Sequence, residues 1–149
     1  MLELKQGDIF ESGAEALVNP VNCDGIMGKG LALEFRRRYP DNLREYICMC
    51  DNGWLQPGCV HVHEMESGYI INFPTKYHWR EKSNLQDIEL GLEDLRRTIV
   101  KLGIRSIAIP ALGCGCGGLK WDEVRPLIER ILGQLDAHIM VYEPREEKR

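Results

Sequence analysis

Two glycine-rich stretches hold the residues whose types and spacing could do chemistry. The first is Cys23-Asp24-Gly25-Ile26-Met27-Gly28-Lys29-Gly30, and the second is Leu112-Gly113-Cys114-Gly115-Cys116-Gly117-Gly118. Four of the 15 glycines fall within the six residues from 113 to 118. A backbone so bare of side chains can take positive φ and approach a ligand closely. Successive N–H groups that lead into a helix N-terminus form a concavity suited to a phosphate. The simpler reading is a flexible glycine loop between two elements. Two such loops facing one another could hold two phosphates, as a diphosphate bridging two sugars would require. Neither contains G-x-x-x-x-G-K-[ST], which argues against nucleoside triphosphate hydrolysis.

A third stretch, Pro74-Thr75-Lys76-Tyr77-His78-Trp79-Arg80-Glu81-Lys82, interleaves basic and aromatic residues. On sequence chemistry alone, Lys76 is a surface lysine in a turn after Pro74. His78 and Trp79 either pack the loop or form a platform for an unstacked base, where stacking contributes about 1–3 kcal/mol per base. Arg36-Arg37-Arg38 is either a solvated helix face or a clamp for a nucleic-acid backbone. Cys48-x-Cys50 and Cys59-Val60-His61-Val62-His63 raise the question of zinc. Structural zinc sites use pairs spaced C-x2-C to C-x4-C, whereas C-x-C and H-x-H lack a matching second pair, so no metal is expected. Cys114 and Cys116 have no base evident in the sequence and are expected to pack as small apolar side chains.

These loops need elements to aim them. Leu2 and Leu4 alternate with polar residues over Met1–Gln6, a first strand, with Gly7-Asp8-Ile9 as a turn. Ala16–Asn22 reads as a central strand feeding the first glycine loop, and Leu31–Tyr39 as a helix with Leu31, Ala32, Phe35 and Tyr39 on one face. Pro40 ends that helix. Asp41–Met49 forms a short one with Leu43, Tyr46 and Ile47 inward. Cys59–His63 and Tyr69–Phe73 are strands on either side of a polar turn at Glu64–Gly68, arranged as a hairpin. Ser83-Asn84-Leu85-Gln86 has the form of a capping box and opens a long helix with Ile88, Leu92, Leu95, Ile99 and Leu102 at steps of three and four. Gly103 ends it. Ile107-Ala108-Ile109 is a buried strand, Asp122–Leu132 a helix and His138–Tyr142 the last strand. Glu143–Arg149 is expected to be a frayed charged tail. Alternating strands and helices predict a single α/β domain with helices on both faces of a mostly parallel sheet, and a ligand site outside the carboxyl ends of the strands.

Length and charge bound the reading further. At 149 residues the chain holds one core without staples, and no apolar run approaches the length of a membrane span. The opening, MLELKQGD, is not a signal peptide, so six cysteines are expected as reduced thiols in the cytoplasm. Net charge is −4, which argues against a generic nucleic-acid coat protein while leaving room for local basic patches.

In order along the chain, Gly7-Asp8-Ile9, the run from Asn19 to Ala32 and the run from Pro110 to Leu119 resemble the macrodomains, which bind ADP-ribose. With Asn72-Phe73-Pro74-Thr75-Lys76 added, the likeness is greatest to the macrodomains of DarG-type antitoxins. It implies a three-layer α/β/α fold over residues 1–149, with a central mixed, mostly parallel sheet. By resemblance, Asp8 accepts from the adenine amino group with Ile9 beside the ring, and Tyr142 closes that pocket. Asn22 touches the distal ribose, whose anomeric carbon bears the adduct. Met27, Gly28, Lys29 and Gly30 line the diphosphate on one side. Leu112, Gly113, Cys114, Gly115, Cys116, Gly117 and Gly118 wrap the second phosphate and that ribose from the other.

Relatives that cleave ADP-ribose from protein esters use an aspartate of the second loop to assist a lysine, and here that position reads Gly117. The resemblance therefore leaves Lys76 as the catalytic residue and implies removal of ADP-ribose from thymine in single-stranded DNA. His78, Trp79 and Arg80 are the residues expected to meet the strand. Lys76 would act on the anomeric carbon as a neutral amine, a form that nearby Lys82, Arg80 and protonated His78 would favour, or stay charged and orient the leaving base. No cofactor is expected. The expected partners are ADP-ribose, ADP-ribosylated single-stranded DNA and a cognate DarT-like toxin, with the domain a monomer away from membranes. Cleavage of a protein ester, or binding of ADP-ribose without cleavage, are the alternatives.

Overall fold

The computed structural model describes residues 1–144, so the outer part of the expected tail, residues 145–149, lies outside the described residues. Six strands form one sheet: β1 (Leu2–Lys5), β2 (Ala16–Val21), β3 (His61–Met65), β4 (Gly68–Pro74), β5 (Ser106–Ile109) and β6 (His138–Tyr142). Their order is β1-β6-β5-β2-β4-β3. All neighbours are parallel except β3, which runs antiparallel to β4. The helices are α1 (Gly30–Arg38), α2 (Pro40–Asp51), α3 (Leu85–Leu102) and α4 (Trp121–Leu132). The expected sheet and the three-layer arrangement are both present. No helix among the described residues is long and apolar enough to cross a membrane.

Alternation along each strand divides its side chains between two cores. Ala16, Val18, Ile107, Ile109, Ile139 and Val141 face α3 and α4, meeting Ile88, Leu92, Leu95, Val124 and Ile128. Leu17, Ile70, Ala108, Met140 and Tyr142 pack on the opposite face against Ile9 and Phe35 of α1. A smaller apolar group, Val21, Met27, Tyr46 and Leu55, joins α2 to the first glycine loop.

Local departures from the sequence reading have physical reasons. The cap of α3 is Asn84 rather than Ser83: the Asn84 side chain accepts from the Asp87 N–H at 2.9 Å, while Ser83 turns inward. Gly103 ends that helix in the left-handed region, φ 64°. Strand β3 starts at His61, two residues later than expected, because the Val60 N–H is taken by Asp94 Oδ2 at 2.8 Å. On α1 only Phe35 of the expected inward face is fully buried. On α2 Tyr46 is buried, Leu43 and Ile47 are half-buried, and Asn42 is buried with them.

Asn42 belongs to a polar cluster inside the sheet's second face. Asn72 of β4 accepts from Asn19 Nδ2 at 3.1 Å and Asn42 Nδ2 at 3.2 Å, and donates to Asn42 Oδ1 at 2.8 Å and His61 Nδ1 at 3.0 Å. His61 Nδ1 therefore accepts, which leaves its Nε2 to donate to Glu45 at 2.8 Å. His63 reaches the other oxygen of Glu45 at 2.7 Å. The two histidines of the H-x-H pair thus share one carboxylate and tie β3 to α2. Buried amides cost free energy unless they are paired, so the cluster stabilises the fold only when complete. Asn72→Val leaves Asn19 and Asn42 without their partner and is expected to destabilise the chain by about 2–4 kcal/mol. Urea unfolding measures it, and a midpoint unchanged from the parent would show that the cluster contributes nothing.

Candidate functional site

Because β1, β2, β4, β5 and β6 are parallel, their carboxyl ends lie along one edge of the sheet, and the segments that leave them form a continuous row. Asp8 and Ile9 follow β1, and Tyr142 ends β6 beside it, where Lys5 pairs with Tyr142. The loop 110–120 follows β5, the first glycine loop follows β2, and Lys76 follows β4. Helices α1, α3 and α4 begin at this same edge, so their N-terminal N–H groups converge on it.

At the β1–β6 end, the Asp8 side chain caps a short 3-10 turn, accepting from the Phe10 N–H at 2.9 Å through Oδ1. Its second carboxylate oxygen has no hydrogen-bond partner among the described residues. Ile9 and Tyr142 pack in one apolar group, with Lys5 Nζ 5.9 Å from the Tyr142 ring centroid.

In the second loop, Gly113 and Gly118 both stand at φ 76°. Turn bonds run from Cys114 N to Ala111 O, Gly118 N to Gly115 O and Leu119 N to Gly113 O. The N–H groups of Gly113, Gly115, Cys116 and Gly117 find no acceptor among the described residues. A Cβ at Gly117 would lie 2.4 Å from Ser83 Oγ and 2.5 Å from Gly113 O, so this loop conformation has no room for any side chain there. Burial pushes the Cys114 thiol up to about 11, which leaves it an unreactive packing residue, and Cys116 is exposed.

In the first loop, the Asn22 amide is engaged locally. Its Oδ1 accepts from Tyr46 OH at 2.7 Å and Asp24 N at 3.0 Å, and its Nδ2 donates to Ile26 O at 2.8 Å. Met27 is buried, while Gly28, Lys29 and Gly30 are exposed at the start of α1. Burial, with the neighbouring Cys50 and Asp24 adding to it, pushes the Cys23 thiol up to about 12.

The β4 segment is stitched to this loop beyond the end of the sheet. Thr75 N donates to Val21 O, and Cys23 N donates to Tyr77 O, each at 2.8 Å. Lys76 lies between these bonds, only 8% exposed, and its ammonium has no hydrogen-bond or ion-pair partner among the described residues. On the same two segments Tyr77, Trp79 and Ile26 are exposed, at 48%, 45% and 46%. The cations expected beside Lys76 each meet another group: Arg80 stacks on Trp79 at 4.7 Å, His78 pairs with Asp24, and the Lys82 stem runs along Gly118. The arginines 36–38 are in the last turn of α1, away from the edge where that helix begins, and Arg38 covers the Phe10 ring at 4.2 Å.

Sequence reading gave Asp24 no role of its own and read Ser83 only as a helix cap. Asp24 Oδ1 meets His78 Nδ1 at 2.8 Å, and its Oδ2 accepts from the Trp79 N–H at 3.0 Å, so one carboxylate straps the two loops together. The only signal available was its place in the glycine loop.

The family model for the Macro domain matches residues 18–128. This chain belongs to the Macro domain family. A Thermus aquaticus protein named DNA ADP-ribosyl glycohydrolase is 46% identical over 151 residues, covering 98% of this chain and 42% of that protein. The chain therefore spans less than half the length of such relatives. Among solved structures, the macrodomain of Mycobacterium tuberculosis DarG superposes with a TM-score of 0.94 at 44% identity, covering 97% of this chain and 99% of that one. Thermosipho africanus DarTG in complex with ADP-ribose gives a TM-score of 0.94 at 36% identity, over 99% of this chain and 43% of that one.

The Asp24–His78 strap has a defined pH window. The hydrogen bond to Asp24 raises His78 above its usual 6.5, so that contribution is complete below 6.5 and is lost as pH rises through the raised value. The His78 bond lowers Asp24 below its usual 3.8, so that contribution is present above 3.8 and lost as pH falls through the lowered value. In an NMR titration, His78 should titrate above the ordinary histidine range in the parent and return toward it in Asp24→Ala. Superimposable titration curves would mean that the pair does not form in solution.

Proposed function

We propose that this domain is a DNA ADP-ribosyl glycohydrolase that removes ADP-ribose from thymine in single-stranded DNA, as the antitoxin half of a DarT/DarG-type pair. The observation that carries the reading is the order of groups along the carboxyl edge. An acidic acceptor beside an apolar wall stands at β1 and β6, glycine loops with unpaired N–H groups follow β5 and β2, and a buried lysine follows β4. Adenine, diphosphate, distal ribose and the leaving base occur in that order in the substrate. The names of the relatives, glycohydrolase among them, and the ADP-ribose complex of the Thermosipho protein point the same way.

In this reading Asp8 accepts from the adenine amino group, with Ile9 and Tyr142 beside the ring. The N–H groups of Gly28, Lys29 and Gly30 and of Gly113, Gly115, Cys116 and Gly117 hold the diphosphate without a metal. Met27 lines the diphosphate beside Gly28, while Leu112 and Asn22 shape the sugar end, the Asn22 amide fixing the loop that contacts the ribose. Lys76 attacks the anomeric carbon through its side-chain nitrogen, or stays charged and orients the leaving base. The C–N bond to the base breaks, its electron pair leaves with the base, and a proton from water restores the thymine. Where Lys76 has attacked, water then adds to the anomeric carbon as the bond to the Lys76 nitrogen breaks, which releases free ADP-ribose and regenerates the amine. Trp79, with Arg80 on its ring and His78 strapped to Asp24, offers a face on which a flanking base stacks. Gly117 disfavours the protein-ester alternative, because a carboxylate side chain has no space there.

The test is release of ADP-ribose from ADP-ribosylated single-stranded DNA and from a glutamate-modified protein, with parent and Lys76→Ala. The parent should act on the DNA, and the variant should lose at least roughly 10²-fold in rate while holding ADP-ribose within a few-fold of the parent's affinity. Parental turnover by the variant would remove Lys76 from the mechanism. Tight ADP-ribose binding with release from neither substrate would reduce the domain to a binding module.

A further inference from the structure

Ser83 sits one residue before Asn84, the cap of α3, and is 7% exposed. Its backbone N–H donates to Gly117 O at 3.0 Å, which fixes it against the second glycine loop. Its hydroxyl oxygen is fully covered and yet has no hydrogen-bond partner among the described residues. That oxygen lies 2.4 Å from where a Cβ on Gly117 would stand, so the hydroxyl is pressed into the loop that the unpaired N–H groups of Gly113, Gly115, Cys116 and Gly117 define. On the next residue toward the N-terminus, the Lys82 stem runs beside Gly118, 3.7 Å from its Cβ position. The N-terminus of the 18-residue helix α3 stands directly behind the hydroxyl, with the positive end of its dipole toward the loop.

A covered hydroxyl without a partner weakens the fold, and such a group in a native chain calls for a role outside packing. We propose that Ser83 is a binding residue of the phosphate cradle, whose hydroxyl donates to an anionic phosphate oxygen of the ligand. The inference rests on the reading of this edge as an ADP-ribose site and adds to it a wall contributed by the segment before α3. The loop can turn to let the hydroxyl meet the ligand, because Gly113 and Gly118 already hold positive φ and nothing lies within 4 Å of the Cβ position of Gly115. Loss of a donor to a charged oxygen weakens binding, while removal of a buried unpaired hydroxyl leaves the ligand-free chain no less stable.

The two effects have opposite signs, and Ser83→Ala separates them. On the whole chain, thermal melting without ligand and calorimetric titration with ADP-ribose are measured for parent and variant. The variant should melt at the parental temperature or above and bind ADP-ribose at least about fivefold more weakly. Affinity within twofold of the parent would overturn the proposal while leaving the wider reading of the site intact. A fall in affinity matched by a fall in melting temperature would also overturn it, since Ser83 would then act only through the fold. A parent that failed to bind ADP-ribose would overturn both readings together.

Discussion

The pairing of β2 with β4, continued past the ends of both strands, is the constraint on which the rest of the site depends. Within the sheet the two strands are in register from Ala16–Tyr69 to Val21–Pro74. Beyond it, Thr75 and Tyr77 keep bonding to the backbone of Val21 and Cys23, so the chain around Lys76 is held like a strand although no sheet is left to form. A lysine on an ordinary loop would sweep a wide arc, and rigid backbone on both sides takes most of that freedom away. The same bonds set the height of the first glycine loop. Beneath them the Asn19–Asn72–Asn42 cluster fills a position where apolar side chains would let the two strands and α2 slide against one another.

The chain carries a net charge of −4, so the attraction to a phosphate that the proposed function requires must be local. It arises from backbone geometry more than from side-chain charge. Parallel strands joined by helices place the N-termini of α1, α3 and α4 at the carboxyl edge, and in the second loop the N–H groups of Gly113, Gly115, Cys116 and Gly117 have no acceptor among the described residues. Two of the nearby cations are meanwhile held elsewhere, His78 by Asp24 and Arg80 by Trp79. They act on the shape of the rim, by holding the exposed indole in place, rather than on the charge of the cradle.

Features set by local periodicity were legible in the sequence. The positions of α3, α4, β5 and β6, the end of α3 at Gly103 and the convergence of both glycine loops on one edge follow from residue spacing alone. The unread features depend on partners distant in the chain. Nothing around Asn72 announces that Asn19, 53 residues away, and Asn42, 30 away, will meet it inside the sheet. Ser83 and Asn84 are both good caps, and local rules favoured Ser83. The choice fell to Asn84 because the Ser83 backbone is drawn to Gly117, a contact across 34 positions that the pattern S-x-x-Q cannot contain. Asp24 was passed over for the same reason, its partners lying 54 and 55 positions away.

Gly117 joins these observations. A glycosidic bond is ordinarily broken between two carboxylates, one to protonate the leaving group and one to attack or to activate water. In this loop conformation position 117 has no room for one, since the space beyond the Gly117 Cα is filled by Ser83 Oγ and the Gly113 carbonyl. The carboxylate on the first loop, Asp24, is spent on two hydrogen bonds to the β4 segment. A pyrimidine held through nitrogen differs from a protein ester in what it asks of the site, because the departing ring can spread its charge over its own carbonyl groups. In the proposed reading, Lys76 on its rigid backbone and the aromatic rim beside it would meet that demand without an acid–base pair. In the proposed reading, packing between Ser83 and the second glycine loop thus links the shape of the cradle to the kind of bond that the edge would break.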